Sequence, residues 1–159
     1  MIRVGTGFDI HRLVPGRRLV LCGAEFEFPF GLLGHSDADA PVHALMDALL
    51  GATALGDIGR LFPDTDPKWA GADSMELLRA VVALLRENGW RPVNADLTIL
   101  AEAPKIGPRA LEMRENLAAA LGTGAGAVSV KATTMEKLGP VGAREAIAAQ
   151  ASVLVESCN

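Results

Sequence analysis

The spacing of apolar residues changes in a definite order along this chain of 159 residues, and that order restricts the fold more than any other feature. Residues 2–12 and 18–28 carry Val, Ile, Leu and Phe with the short period of strands, and Pro15-Gly16 marks a turn between them. Helical and strand spacing alternate afterwards. This order predicts an α+β fold in which a mixed β-sheet carries helices on one face.

The later elements follow from helix caps, turn residues and apolar periodicity. A first helix is predicted over about 37–55, with Ser36 or Asp37 as its cap. Residues 56–73, rich in Gly, Asp and Pro, predict a loop. Further helices are expected over 73–89 and 108–122, and further strands over 93–101, 127–132 and 145–156. Because no linker or repeat divides the sequence, residues 1–159 are predicted to form a single domain.

Charge and hydropathy narrow the classes of partner. The net charge is -4 at pH 7, so no nucleic acid and no acidic membrane surface is expected as a partner. No uncharged apolar run reaches the ~18 residues of a membrane helix, and no basic segment followed by an apolar one begins the chain. The expectation is a cytoplasmic protein that handles an anionic substrate through a local cationic or metal site.

The three histidines lie in the first third of the chain and suggest a metal site. Asp9 and His11 are two positions apart, so on a strand both point to one face, and Phe8 and Ile10 would then face the core. His43 lies on or beside the apolar stripe of the first helix. One carboxylate and two imidazoles suit Zn²⁺, and three protein ligands leave a fourth position for a substrate. Spacing alone leaves open that His43 is a hydrogen-bonded core residue.

Two further segments have both a functional and an ordinary interpretation. Residues 34–37, Gly-His-Ser-Asp, precede the first helix, whose free backbone N–H groups could cradle a phosphate; Ser36 and Asp37 could equally be simple caps. Asp57, Asp64 and Asp66 lie in the following loop, where carboxylates could orient the hydroxyls of a polyol. A loop that is merely solvated would look the same.

Polar segments also follow two of the later predicted strands. Residues 101–106, Ala-Glu-Ala-Pro-Lys-Ile, leave backbone groups free to contact a nucleobase, although a plain connection would read the same way. Residues 131–137 carry two hydroxyls, a carboxylate and two lysines, which suit a diphosphate with Mg²⁺ held by Glu136. The alternative is a polar turn that closes the sheet.

Taken together, these segments resemble the 2-C-methyl-D-erythritol 2,4-cyclodiphosphate synthase family of non-mevalonate isoprenoid synthesis. The matching stretches are GFDIH, GLLGHSDADAPVHALMDALLGATALGDIGRLFPDTDP, GADS, AEAPKI and VKATTMEKLG. They occur in the family's order and spacing over nearly the whole chain. The resemblance implies a homotrimer whose active sites lie between neighbouring subunits.

The resemblance also implies a role for each matching position. Asp9, His11 and His43 correspond to zinc ligands, and Glu136 corresponds to the ligand of a second ion, Mg²⁺ or Mn²⁺. His35 and Thr134 match positions that stabilise the transition state. The substrate-binding segments correspond to Ser36, Asp57, Ile58, Gly59, Phe62, Pro63, Asp64, Thr65 and Asp66. The cytidine-diphosphate pocket corresponds to Ala101, Glu102, Ala103, Pro104, Lys105, Ile106 and Thr133.

The implied reaction converts 4-diphosphocytidyl-2-C-methyl-D-erythritol 2-phosphate to the 2,4-cyclodiphosphate and CMP. A metal-dependent phosphohydrolase and a nucleotide-binding trimer with structural zinc are the alternatives. One departure from the family concerns the loop near the expected trimer axis. Many members carry an aromatic residue and an arginine there, whereas this chain has Pro140 and Ala143, with Arg144 one position later. This departure weakens the case for a prenyl diphosphate site in that cavity.

Overall fold

A five-stranded mixed sheet forms the framework of the structure, a computed structural model that describes residues 1–158. Asn159, the last residue of the predicted domain, lies outside the described residues. The strands are β1 (Ile2–Pro15), β2 (Leu19–Leu21), β3 (Ala24–Phe26), β4 (Phe30–Leu32), β5 (Trp90–Leu100), β6 (Val128–Thr133) and β7 (Ala146–Ser157). The helices are α1 (Ala40–Thr53), α2 (Ile58–Leu61), α3 (Ser74–Glu87), α4 (Ala110–Leu121) and α5 (Gly139–Gly142).

The sheet order is β4-β1-β7-β5-β6, and β2 and β3 form a separate hairpin. Only β5 and β6 run parallel among the strands of residues 1–158, and α4 connects them, as a parallel pair requires. Side chains from one face of the sheet share a single hydrophobic core with α1, α3 and α4. The predicted α+β class with a mixed sheet is therefore confirmed.

Two glycines of β1 let α1 lie directly on the sheet. A Cβ added at Gly5 would lie 1.9 Å from the carbonyl oxygen of Ala48, and one at Gly7 would lie 2.0 Å from that of Ala44. Both distances are far inside van der Waals contact, so only glycine allows this approach. Gly7 contacts Ala44 of the helix. His43 precedes Ala44 on α1 and Asp9 lies two positions after Gly7 on β1, so this contact brings His43 close to Asp9. The contact of strand and helix thus creates the site.

The glycine face of β1 also decides where its large apolar residues point. Gly5, Gly7, Asp9 and His11 face the helices, so the even positions face the other side of the sheet. Ile2, Val4, Phe8 and Ile10 are 44–69% exposed there. The prediction that Phe8 and Ile10 face the core was wrong, because small residues on the inner face replace the large ones that usually mark it.

Other boundaries differ from the predictions for local reasons. The expected single strand over 18–28 is instead the β2–β3 hairpin, because Cys22 and Gly23 adopt positive φ angles of 51° and 70°. The expected cap of α1 at Ser36 or Asp37 was wrong, since Asp39 caps the helix by accepting from the Val42 N–H. The strand β4 and the short helices α2 and α5 were not predicted. The 73–89 helix is confirmed with Asp73 as its cap.

The helix α1 is apolar nearly all round, because it lies between the sheet and α3. All of its residues except Asp47 and Gly51 are buried. Within residues 1–158, none of the helices has the length and apolar character needed to cross a membrane.

Candidate metal centre and nucleotide-side cluster

Three side chains from β1 and α1 converge at one point. The Asp9 Oδ2 atom lies 2.8 Å from His11 Nε2 and 3.0 Å from His43 Nδ1. The two imidazole nitrogens lie 3.3 Å apart. The hypothesis that the first-strand pair and the helix imidazole meet is therefore supported by the geometry, and the three residues form a group that could hold one metal ion.

Each of these side chains is also held from behind by a second contact. The Ile10 N–H donates to Asp9 Oδ1 at 2.9 Å, and His11 Nδ1 donates to the Leu33 carbonyl oxygen at 2.6 Å. His43 Nε2 lies 3.0 Å from the hydroxyl of Ser74. Such outer contacts orient metal ligands, because they fix the ring planes and decide which nitrogen carries a lone pair. Here they direct His11 Nε2 and His43 Nδ1 towards Asp9.

The Asp9 carboxylate and the His11 imidazole stabilise each other's charged forms. Burial opposes ionisation of Asp9, but hydrogen bonds and charge interactions with His11 and His43 hold its pKa well below its usual range. The pKa of His11 is raised: burial lowers it, and the hydrogen bond and charge of Asp9 outweigh that effect. Asp9 is therefore a carboxylate at neutral pH, which is the form that binds a cation.

The donor set fits zinc. With ligand bonds of about 2.0–2.2 Å, the donors of a tetrahedral zinc lie about 3.4 Å apart. The imidazole nitrogens already have that separation, and the carboxylate oxygen needs to move by only a few tenths of an ångström. One oxygen and two nitrogens leave a fourth position, and it can open onto the neighbouring cavity, which all three side chains line.

A cavity of about 410 Å³ adjoins the three candidate ligands and brings together one predicted catalytic residue and several predicted substrate-binding residues. His35, Ser36, Ile58, Gly59, Phe62 and Asp64 line it. Further lining residues were not predicted from the sequence: Gly34, Met46, Trp69 and Leu77. The ring centroids of Phe62 and Trp69 lie 4.9 Å apart in an edge-on arrangement. The cavity therefore combines an apolar wall with a polar, metal-facing side.

Other predicted residues of this loop support its shape without lining the cavity. Asp57 caps α2 through the Arg60 N–H, and Asp66 caps a short 3-10 turn through the Lys68 N–H. Pro63 and Thr65 connect these two turns. His35 reaches the Asp66 carbonyl oxygen at 3.0 Å, which ties the loop to the segment before α1.

Three backbone N–H groups at the start of α1, where the sequence left a phosphate cradle and simple capping as alternatives, have partners within the protein. The backbone N–H of Asp37 donates to the Ala72 carbonyl, and that of Ala38 donates to the Ser36 hydroxyl. The Val42 N–H is taken by Asp39. These three donors are used within the protein, and of residues 34–37 the side chains of His35 and Ser36 line the cavity.

The predicted nucleotide residues form a second cluster, where β5 and β6 end. The Ala101 N–H donates to the Thr133 carbonyl at 3.0 Å. The Glu102 carboxylate accepts from the N–H groups of Met135 and Lys137 at 2.9 and 3.2 Å. Thr134 donates its hydroxyl to Glu136 at 2.8 Å. The structure thus joins the 101–106 and 133–136 segments, which lie more than 25 positions apart in the sequence.

Within one chain, this nucleotide-side cluster stays apart from the metal centre. Ile10 pairs with Ala148, Ala148 with Leu100, and Leu100 with Thr133. Three strand-to-strand steps of about 4.8 Å each place Thr133 roughly 14 Å from β1, the strand that carries Asp9 and His11. Among residues 1–158, the lining of the 410 Å³ cavity includes none of the predicted nucleotide-binding residues. The two clusters therefore do not form a single pocket in one chain.

Comparison with known proteins identifies the family. The family model described as the YgbB family matches residues 2–156. The chain belongs to the YgbB family. A curated relative from Dechloromonas aromatica (strain RCB), named 2-C-methyl-D-erythritol 2,4-cyclodiphosphate synthase, is 61% identical over 154 residues, covering 97% of this chain and 96% of the relative. The resemblance inferred from the sequence is thus confirmed.

Solved structures of YgbB-like chains agree with this fold. The bifunctional IspDF from Campylobacter jejuni matches with a TM-score of 0.95 at 42% identity, over 99% of this chain and 42% of that longer chain. A CDP complex of IspF from Plasmodium falciparum matches with a TM-score of 0.87 at 32% identity, over 99% of this chain and 97% of that one.

Sequence reasoning on this YgbB-family chain assigned no role to two residues that shape the site. Trp69 could have been noticed as one of only two tryptophans, in a loop otherwise rich in Asp and Pro. The Asp47 carboxylate, one helical turn after His43 on α1, accepts from the Ile58 N–H at 2.8 Å and so fixes the start of α2. No sequence signal marked that contact, because it depends on how the loop folds back onto the helix.

Proposed function

We propose that this chain is a phosphorus–oxygen lyase that converts 4-diphosphocytidyl-2-C-methyl-D-erythritol 2-phosphate to 2-C-methyl-D-erythritol 2,4-cyclodiphosphate and CMP. The observation that carries the proposal is the convergence of Asp9, His11 and His43 within 3.3 Å beside a lined cavity. The support from relatives is a 61% identical chain of nearly the same length that bears the name of this synthase.

The reaction is an intramolecular phosphoryl transfer. An oxygen of the 2-phosphate attacks the β-phosphorus of the diphosphate, a new P–O bond forms, and the bond to the bridging oxygen breaks. That oxygen leaves with its electron pair on CMP. The reaction needs no protein nucleophile, so catalysis rests on positioning and charge stabilisation. Bringing the two ends of a flexible polyol together can contribute up to about 7–11 kcal/mol.

The chain's residues divide these tasks. Asp9, His11 and His43 would hold Zn²⁺, and Glu136 would hold Mg²⁺ or Mn²⁺ against the diphosphate; such ions withdraw charge from the attacked phosphorus and from the leaving group. His35 and Thr134 would donate hydrogen bonds to the phosphoryl oxygens as charge grows there. The apolar wall that Phe62 and Trp69 contribute would exclude water from the reacting phosphate.

The nucleotide-side cluster would bind the cytidine diphosphate. The 101–106 segment and Thr133 supply backbone groups and a hydroxyl, and Lys105 supplies an exposed positive charge. The relative from Plasmodium falciparum has been solved as a CDP complex. This half of the site would belong to one subunit and the metal half to its neighbour.

A homotrimer would bring the two halves together. The separation of the clusters within one chain, which do not share a pocket, supports an arrangement in which a second chain completes each site. Two exposed surfaces support such an assembly: the outer side of β1, with four large apolar side chains, and residues 131–140, which are all exposed and include Leu138 at 69%. A contiguous patch of large apolar side chains exposed to water, such as the outer side of β1, usually marks an interface.

The test of the proposed function is the product. Purified chain, supplied with Zn²⁺, Mg²⁺ and the cytidine substrate, is expected to release CMP and form a cyclic diphosphate seen by phosphorus NMR. Chelation should stop the reaction, and restoring the ions should restart it. Open-chain phosphates would point instead to a metal-dependent phosphohydrolase, and CMP binding without turnover would point to a structural zinc protein. Either result would overturn the proposal.

A further inference from the structure

Behind His43 lies a chain of hydrogen bonds that the reaction itself does not use. The Ser74 hydroxyl lies 3.0 Å from His43 Nε2 and donates its own proton to Asp37 Oδ1. The second oxygen of Asp37 accepts the Ser74 N–H at 3.1 Å. Ser74 is fully buried and His43 is 8% exposed, so water has little access to the contact between them, whereas Asp37 is half-buried.

The direction of these bonds follows from proton accounting. A carboxylate only accepts, so the single hydroxyl proton of Ser74 points to Asp37. The Ser74 oxygen must then accept from His43, which places the imidazole proton on Nε2. The Ser36 hydroxyl oxygen, 3.2 Å from the same nitrogen, accepts from the Ala38 N–H through one lone pair and can share the Nε2 proton through its second, so this contact is compatible with the same tautomer. A neutral His43 imidazole with its proton on Nε2 keeps the Nδ1 lone pair available for a cation held beside Asp9 and His11.

We propose that Asp37 and Ser74 are positioning residues that fix the tautomer and orientation of His43 and so set the affinity of the metal centre. This inference rests on the proposed metal site and adds two residues to it. Neither residue contacts Asp9 Oδ2, His11 Nε2 or His43 Nδ1, the three atoms that would bind the metal. Both act through His43 Nε2. Outer hydrogen-bond partners of metal-binding imidazoles typically change metal affinity about 10- to 100-fold.

Helix capping explains the contact of the Ser74 N–H with Asp37, but it does not explain the contacts of the Ser74 hydroxyl with Asp37 and His43. The cap of α3 is Asp73, whose side chain accepts the Met75 N–H at 2.7 Å. Asp37 reaches Ser74 from a different segment, and its own N–H is anchored by the Ala72 carbonyl at 3.0 Å. His11 has a backbone carbonyl as its corresponding partner, so only for His43 does this function depend on replaceable side chains.

The test compares the full-length Ser74→Ala and Asp37→Asn variants with Asp73→Asn as a matched control. Asp73→Asn removes one negative charge, as Asp37→Asn does, at the residue that precedes Ser74. It weakens the cap of α3 but leaves the hydrogen bonds from Asp37 through Ser74 to His43 intact. Zinc affinity is measured by competition with a chromogenic chelator, and Co²⁺ substitution reports the ligand geometry through its visible spectrum. Thermal unfolding of each variant checks that it is folded.

Ser74→Ala and Asp37→Asn are expected to bind zinc about 10- to 100-fold more weakly and to alter the Co²⁺ spectrum, while Asp73→Asn stays close to the parent chain. The double variant Asp37→Asn/Ser74→Ala should lose little more than Ser74→Ala alone, because both act through one hydroxyl. Equal zinc affinity in all variants, an equal loss in Asp73→Asn, or additive losses would overturn the inference. If the parent chain itself bound no zinc, the proposed function would fail instead.

Discussion

Replacing His43 with alanine is expected to empty the metal centre and abolish turnover. Only Asp9 and His11 would remain, and a carboxylate with one imidazole does not hold zinc firmly in a site that normally offers three ligands. The charge stabilisation that the ion supplies is worth several kcal/mol, so its loss should slow the reaction roughly 10³-fold or more. Metal analysis and phosphorus NMR of the product measure the two effects.

His35→Ala is the matched control for this variant. His35 lines the same cavity but is exposed and contacts the Asp66 carbonyl rather than the metal ligands. It should keep one zinc per chain while losing rate, because its predicted role is to donate to phosphoryl oxygens. A His43→Ala protein that retained both zinc and activity would contradict the assignment of His43.

Two inactive variants are expected to restore activity when they assemble together. His43→Ala damages the metal half of the site, and Glu136→Gln damages the predicted nucleotide half. Each variant alone should be nearly inactive. In a cyclic trimer that contains both, one interface of three joins an intact metal half to an intact nucleotide half, so about one third of parental activity should return.

The mixed assemblies can be isolated by giving each variant a different affinity tag and purifying over both. The control is a mixture of two metal-half variants, His43→Ala and His11→Ala, in which no interface has an intact metal half. Mixed trimers without activity, or equal recovery in the control, would contradict active sites shared between subunits.

The metal centre could be predicted because its signal is partly local. Asp9 and His11 share a strand face by simple alternation, and His43 lies on a helix that had to pack somewhere on that sheet. What the sequence did not reveal was the cause of their meeting. Gly5 and Gly7 let the helix approach, and a pattern search for large apolar residues misreads such a face.

The same misreading explains the error at Phe8 and Ile10. Alternation shows which residues share a face, but it does not show which face is buried when one carries glycines and the other carries apolar side chains that another chain can cover. Similarly, the capping role of Asp39 depends on the β2–β3 turn. The Asp39 carboxylate also accepts from the N–H groups of Cys22 and Gly23 in that turn, both at 2.8 Å. Contacts of this kind require the tertiary fold.

The individual substrate and nucleotide roles remain predictions, although the structure groups their residues into two clusters. Family membership was predicted from motif order and is confirmed by the match over residues 2–156. The Asp37–Ser74 pair escaped prediction because its two members lie 37 positions apart and look like ordinary cap residues.

Anomalous X-ray scattering at the zinc absorption edge, recorded from crystals of the metal-replete protein, tests the central claim most directly. One strong peak per chain is predicted, bonded to Asp9 Oδ2, His11 Nε2 and His43 Nδ1 at about 2.0–2.2 Å. A peak at another site, or none at these three atoms in protein that is active with zinc, would contradict the account.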